Sequence, residues 1–218
     1  MGERYYRGYG FKQNYVEAFK WTKKSAEQNN ADAQYMMGVM CQDGKAVRQN
    51  YAEAKKWYEK AADQNNSMAQ NNLGKLYYEG KGVKQDYKAA FDWFTKSSVQ
   101  GNAYAKENLG KMYYKGNGVS KDYKKALEIC KDAAKTDSNQ TCLGIMYENG
   151  WGIKADYFEA FNCYKKSSEK GNAEAMYRFG LVYKNGIGVK KDPAEAKKWL
   201  ELAAEAGNED AKKELAKK

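Results

Sequence analysis

An all-α fold of stacked antiparallel helix pairs is what this sequence predicts, on three observations. First, three residue columns keep a common register along the 218-residue chain. Tryptophan recurs at Trp21, Trp57, Trp93 and Trp199, with Ile129 and Cys163 in the same slot between them. Glycine recurs at Gly2, Gly38, Gly74, Gly110, Gly144 and Gly180, every step being 36 residues except one of 34 between Gly110 and Gly144. Asn14, Asn50, Asp86, Asp122, Asp156 and Asp192 form the third column. Second, one proline and 20 glycines suit helices joined by glycine turns better than a strand-rich sandwich. Third, within each unit the apolar residues recur at helical spacing.

The elements follow in order. Residues 1–30 read as a truncated repeat, followed by repeats at 31–66, 67–102, 103–138, 139–172 and 173–208, and by a capping first-helix fragment at 209–218. The whole is read as a single solenoid over 1–218. In the repeat from Ser67, the stretch "SMAQNNLGKLYYE" places Ala69, Leu73, Leu76 and Tyr77 on one buried stripe. The helix stops at a G-x-G-V turn (Gly80, Gly82, Val83), where glycine can take positive φ. Asp86 then caps a second helix, its carboxylate accepting from an unpaired backbone N–H. Asp192-Pro193 is the strongest instance, because proline suits the first helical position. Ala90, Trp93, Phe94 and Ser97 form the inner stripe of that second helix, and "QGN" at Gln100 to Asn102 ends it. Neither helix can bury its apolar face alone, so neighbouring pairs must stack. Glycine inside a helix costs about 1 kcal/mol relative to alanine. Its recurrence at Gly74, Gly110, Gly144 and Gly180 therefore predicts close approach by the second helix.

The pattern A-x-A-x-x-x-L-G-x-x-Y-x-x-G-x-G-V-x-x-D-x-x-x-A-x-x-W-x-x-K-A-A, read from these residues, resembles the Sel1-like repeat, a relative of the tetratricopeptide repeat. It covers essentially the whole chain, with five repeats from Ala31 to Asn208. The resemblance implies a right-handed α-solenoid whose first helices line a concave groove that binds proteins. Members of the family act as adaptors in bacterial signalling, envelope assembly and host interaction, and in eukaryotic ER-associated degradation. Some are immunity proteins that neutralise a secreted toxin such as a phospholipase effector.

The residues themselves argue against catalysis. There is no histidine, which removes the commonest general base and histidine metal sites. Four cysteines lie too far apart for a zinc ribbon or a C-x-x-C pair. "GKGVKQD" and "GNGVSKD" lack the spacing of a phosphate-binding loop and recur in every unit, so they are turns. The expectation is a non-enzyme with no cofactor and no metal.

The candidate site is the outward stripe of the first helices, at positions two, five, nine and twelve of each unit. Its partner-binding residues are Tyr35, Val39, Asn71, Lys75, Tyr78, Lys111, Tyr114, Ile145, Tyr177 and Leu181, and the stripe also carries Met68 and Tyr104. Trp151, in the middle of the turn "NGWGI", is either folded back as a plug or offered to a partner, and it is counted among the binding residues. The fourth joint, "AAKTDSNQTCLG", has lost two residues and the A-x-A entry, and Cys130 and Cys142 flank it. Some secreted family members carry a disulfide across this hairpin, which makes a Cys130–Cys142 bridge one reading. The pair is displaced from their register and the other hairpins lack it, which leaves unbridged thiols as the other. Cys41 and Cys163 stand in core tyrosine and tryptophan slots, as buried thiols would.

A formal charge of +10 favours acidic partners, whether protein, nucleic acid or membrane surface, but lysine scattered over outer helix faces gives the same total. The expected partner is a protein with an acidic surface. Nucleic acid is the rival from another class, but Glu107, Glu148 and Glu174 would interrupt a basic stripe. No run approaches the roughly 18 to 20 apolar residues of a membrane span. The N-terminus "MGERYYRGYG" has no apolar signal core, so a soluble protein of the bacterial cytoplasm or periplasm is expected, with the compartment open.

Overall fold

The computed structural model describes residues 1–10, 12–136 and 140–217. Among them are thirteen α-helices and no strand. The first helices of successive pairs are α1 (Gly2–Arg7), α3 (Ala31–Asp43), α5 (Ser67–Glu79), α7 (Ala103–Lys115), α9 (Thr141–Asn149), α11 (Ala173–Asn185) and α13 (Glu209–Leu215). The second helices are α2 (Tyr15–Glu27), α4 (Tyr51–Asp63), α6 (Tyr87–Val99), α8 (Tyr123–Thr136), α10 (Tyr157–Glu169) and α12 (Pro193–Glu205). The chain divides into two compact units, Met1–Ala105 and Lys106–Lys218. The expected repeat boundary at 138/139 lies outside the described residues. Within each unit, helix pairs stack in the solenoid manner expected.

The cap column performs as its chemistry requires. Asp86 accepts from the Ala89 N–H at 2.9 Å and Asp122 from the Lys125 N–H at 2.9 Å, while Asp192 serves both Ala194 and Glu195. The same residues also close the preceding helix, since the backbone N–H of Asp86 donates to the carbonyl of Tyr77 and that of Asp122 to Tyr113. A second set of caps opens the first helices: Asn30, Asn66, Asn102, Asn172 and Asn208 accept from the N–H of an alanine three residues on. In the sequence this column is a recurring N-x-x-A.

The helical glycines are packing glycines. A Cβ on Gly74 would lie 2.7 Å from two ring atoms of Phe94, and one on Gly144 would lie 2.7 Å from the Tyr164 ring. On Gly180 it would lie 2.9 Å from Leu200 Cγ. The residue that fills the glycine notch is therefore the one after the tryptophan slot. Tyr58, Phe94, Cys130, Tyr164 and Leu200 are buried there, whereas Trp57, Trp93 and Trp199 are only half-buried. The expected inner stripe on α6 is corrected by that one step: Phe94 is its centre and Trp93 its edge, with Lys96 Nζ 4.2 Å from the Trp93 ring centroid.

In the G-x-G turn, Gly80 (φ 68°) is the left-handed cap of α5. Gly82 (φ 71°) has a different task, because a Cβ there would meet the backbone of Tyr51 at 2.6 Å. The turn of one repeat thus rests on the start of the second helix of the repeat before it.

Candidate protein-interaction site

In the unit Met1–Ala105, α3 and α5 present the expected stripe with part of it in solvent. Tyr35, Val39 and Tyr78 are half-buried and Lys75 is exposed. Met68 and Tyr104, on the same stripe, are 36% and 46% exposed. Their apolar surface is not needed to close the core, which is filled by Ala69, Leu73, Leu76 and Tyr58. Tyr35 leans on Tyr58 with ring centroids 6.1 Å apart, and Tyr78 meets Tyr87 edge-on at 5.2 Å. Burial, and then the nearby Asp43 carboxylate, raise the Tyr35 phenol above its ordinary range, so it stays a neutral hydrogen-bonding group. Asn71 departs from expectation: it is 4% exposed, with its amide donating to Asn72 Oδ1 at 3.3 Å. It is buried and not a surface residue.

In the unit Lys106–Lys218 the stripe is largely closed. Tyr114 and Ile145, expected on the outward face, are 6% and 4% exposed and belong to the core cluster. Trp151 explains the first of these. It is half-buried, stacked on Tyr123 with centroids 5.0 Å apart, and lies 5.3 Å from the Tyr114 ring. Of the two readings of Trp151, the plug is the one the geometry supports. The corresponding turn residues show what slot it fills, since Lys45 lies 5.0 Å from the Tyr15 ring and Lys81 5.6 Å from the Tyr51 ring. The middle residue of each of these turns covers the tyrosine that opens the preceding second helix. Lys111, Tyr177 and Leu181 remain half-buried.

Acidic residues on this unit's first helices are engaged within the fold. The Tyr164 hydroxyl donates to Glu148 Oε2 at 2.5 Å, and Arg178 pairs with Glu174 at 2.8 Å and approaches Glu148 at 3.6 Å. Burial alone would lower Arg178, but Glu174, Tyr164 and Glu148 together hold it above its ordinary value. Glu107 accepts from the Cys142 N–H at 3.2 Å. The structure links Cys130 and Cys142 through their sulfurs, with Cα atoms 5.6 Å apart. Cys41 and Cys163 are unbridged and buried, as their slots implied, and burial pushes the Cys163 thiol up to about 12.

The geometry defines a class, a helix-pair repeat protein with short glycine turns, capped second helices and packing glycines. The comparisons give the family. The Sel1 repeat model matches residues 1–30, 31–66, 67–102, 103–135, 143–172 and 173–208, so this chain belongs to the Sel1 repeat family. It resembles a Sel1 repeat protein from Oxalobacter formigenes at 36% identity, covering 93% of this chain and 82% of that one, with a TM-score of 0.77. It also resembles a protective antigen of uropathogenic Escherichia coli at 35% identity and a TM-score of 0.66. That match covers 99% of this chain, which spans 46% of the antigen's length. An immunity protein from Pseudomonas aeruginosa shares the fold at 21% identity and a TM-score of 0.58, over 83% of this chain and 67% of that one. A comparison with curated proteins gives no significant match. Among the described residues, no helix is long and apolar enough to cross a membrane.

Proposed function

We propose that this chain is a non-catalytic scaffold that docks a partner protein on the first-helix face of its Met1–Ala105 unit. The observation that carries the reading is the set of aromatic and apolar side chains left in solvent beside Lys75. Tyr104 is 46% and Met68 36% exposed there, next to the half-buried Tyr35, Val39 and Tyr78. Tyrosine and methionine offer large contact area, and tyrosine loses little side-chain entropy on docking. Lys75 selects a partner with an acidic surface, steering its approach. Lys111, Tyr177 and Leu181 belong to the other unit, and this reading does not rest on them.

Within that role, adaptor and toxin-neutralising immunity protein are the two specific forms. The immunity form draws on the fold shared with the Pseudomonas aeruginosa protein. Nucleic acid fits less well, because Glu148 and Glu174 stand among the first-helix residues.

Affinity capture from the native host tests the proposal. The bait is the full chain, compared with a variant carrying Tyr35→Ala, Lys75→Glu and Tyr104→Ala. Loss of anchor residues of this kind costs about 2 kcal/mol or more, a weakening of roughly thirtyfold. A partner retained by this variant but lost when Lys56 and Lys88 on the second helices are changed to Glu would overturn it.

A further inference from the structure

The joint between α8 and α9 is built unlike the other described joints that open a first helix. Helices α3, α5, α7 and α11 each run 13 residues, and each is opened by an asparagine whose side chain caps the helix. Helix α9 runs nine residues and begins after Gln140, whose side chain makes no capping bond. The 34-residue step, two residues shorter than the others, falls at this joint.

Other groups take over. The Gln140 N–H donates to Ser167 Oγ on α10 at 2.6 Å, and the Cys142 N–H donates to Glu107 Oε1 on α7 at 3.2 Å. A carboxylate from a neighbouring helix thus does what the capping asparagine does elsewhere. The third replacement is covalent. Cys130 on α8 and Cys142 on α9 are bonded across 12 residues, and both sulfurs sit in the notch of Gly110, where a Cβ would lie 2.6 Å and 2.8 Å from them. The sulfurs are buried, and Cys41 and Cys163 are unbridged.

We propose that the Cys130–Cys142 disulfide is a redox clasp that stands in for the side-chain cap α9 lacks, fastening α9 to α8 when oxidised and loosening that joint when reduced. The chemistry is thiol–disulfide exchange. One cysteine thiolate attacks a small-molecule disulfide, giving a mixed disulfide and releasing one thiol. The second cysteine thiolate then displaces the remaining thiol. Two protein thiols lose two electrons and two protons, and the reagent disulfide gains them as two thiols. Because both sulfurs are buried, exchange proceeds through local opening of the joint.

The test uses the full chain equilibrated with oxidised glutathione or with dithiothreitol. Peptide mapping without reduction should find the Cys130 and Cys142 peptides linked in the first sample and separate in the second. Amide hydrogen exchange over 141–149 should be about tenfold or more faster in the reduced chain, with α3 to α6 little changed. The melting temperature should fall by roughly 6 °C or more on reduction, from the loop-closure contribution and the size of the chain. A variant with Cys130→Ala and Cys142→Ala should match the reduced chain and ignore dithiothreitol. If that variant does not fold, the two states of the unmodified chain still decide. Separate peptides after glutathione treatment would overturn the proposal, as would linked peptides with unchanged exchange over α9.

Discussion

Gly74→Ala sets two effects against each other, and the structure says which wins. Alanine is the better helix former by about 1 kcal/mol, so an open site would gain stability. At Gly74 the new Cβ would lie 2.7 Å from Cδ1 and 2.7 Å from Cε1 of Phe94, and 3.2 Å from Cζ. Ordinary carbon contacts begin near about 3.5 Å, so α6 or the ring must retreat by roughly 0.8 Å. Phe94 is 1% exposed and has no open side to move into. Overpacking of this kind costs about 1–3 kcal/mol, and a rigid ring in a closed notch belongs at the upper end. The net expectation is destabilisation by about 2 kcal/mol, or roughly 4–8 °C in melting temperature. Urea unfolding followed by circular dichroism measures it. Phe94→Leu should relieve the clash, so the double-mutant cycle should show coupling of about 1 kcal/mol or more. A Gly74→Ala variant as stable as the parent, or additive with Phe94→Leu, would refute the notch.

Three further outcomes are expected. Asp122→Ala should cost about 1 kcal/mol by urea titration while Asp122→Asn stays near neutral, because both acceptors can receive the Lys125 N–H. Trp151→Ala should lower stability by about 2 kcal/mol, roughly half the cost of a fully buried tryptophan, since the ring covers Tyr114 and Tyr123. Stability should also fall at alkaline pH. Burial pushes the Cys163 thiol up to about 12, well above the ordinary thiol range, so the unfolded chain loses that proton first. Its contribution is complete below pH 9 and is lost progressively as pH rises towards 12, with Tyr58 and Tyr164, raised by burial, acting in the same direction. Urea midpoints at pH 8, 10 and 11 check this, and Cys163→Val should flatten part of the slope.

What the sequence disclosed follows from how local the governing chemistry is. Asp86 could be read as a cap and Gly74 as a notch because each acts within one repeat and recurs at fixed spacing. Phe94 was harder to tell from Trp93, because both are large, apolar and adjacent, and helical periodicity tolerates a shift of one. The surface stripe was the least legible. Tyr78 and Tyr114 occupy the same position, yet Tyr114 is covered by Trp151 from the next turn, where the repeat before has Asn117. Exposure at such a position is decided by a residue one repeat away. Asn71 and Ile145, on the same stripe, are buried as well, Ile145 within the core cluster.

Photo-crosslinking tests the central claim most directly. A photoreactive amino acid is placed at Lys75 on α5 in one sample and at Lys88 on α6 in another, both exposed positions. The account predicts a covalent adduct with the partner protein from position 75 and none from position 88. Adducts from position 88 alone would place the partner on the second helices and contradict it.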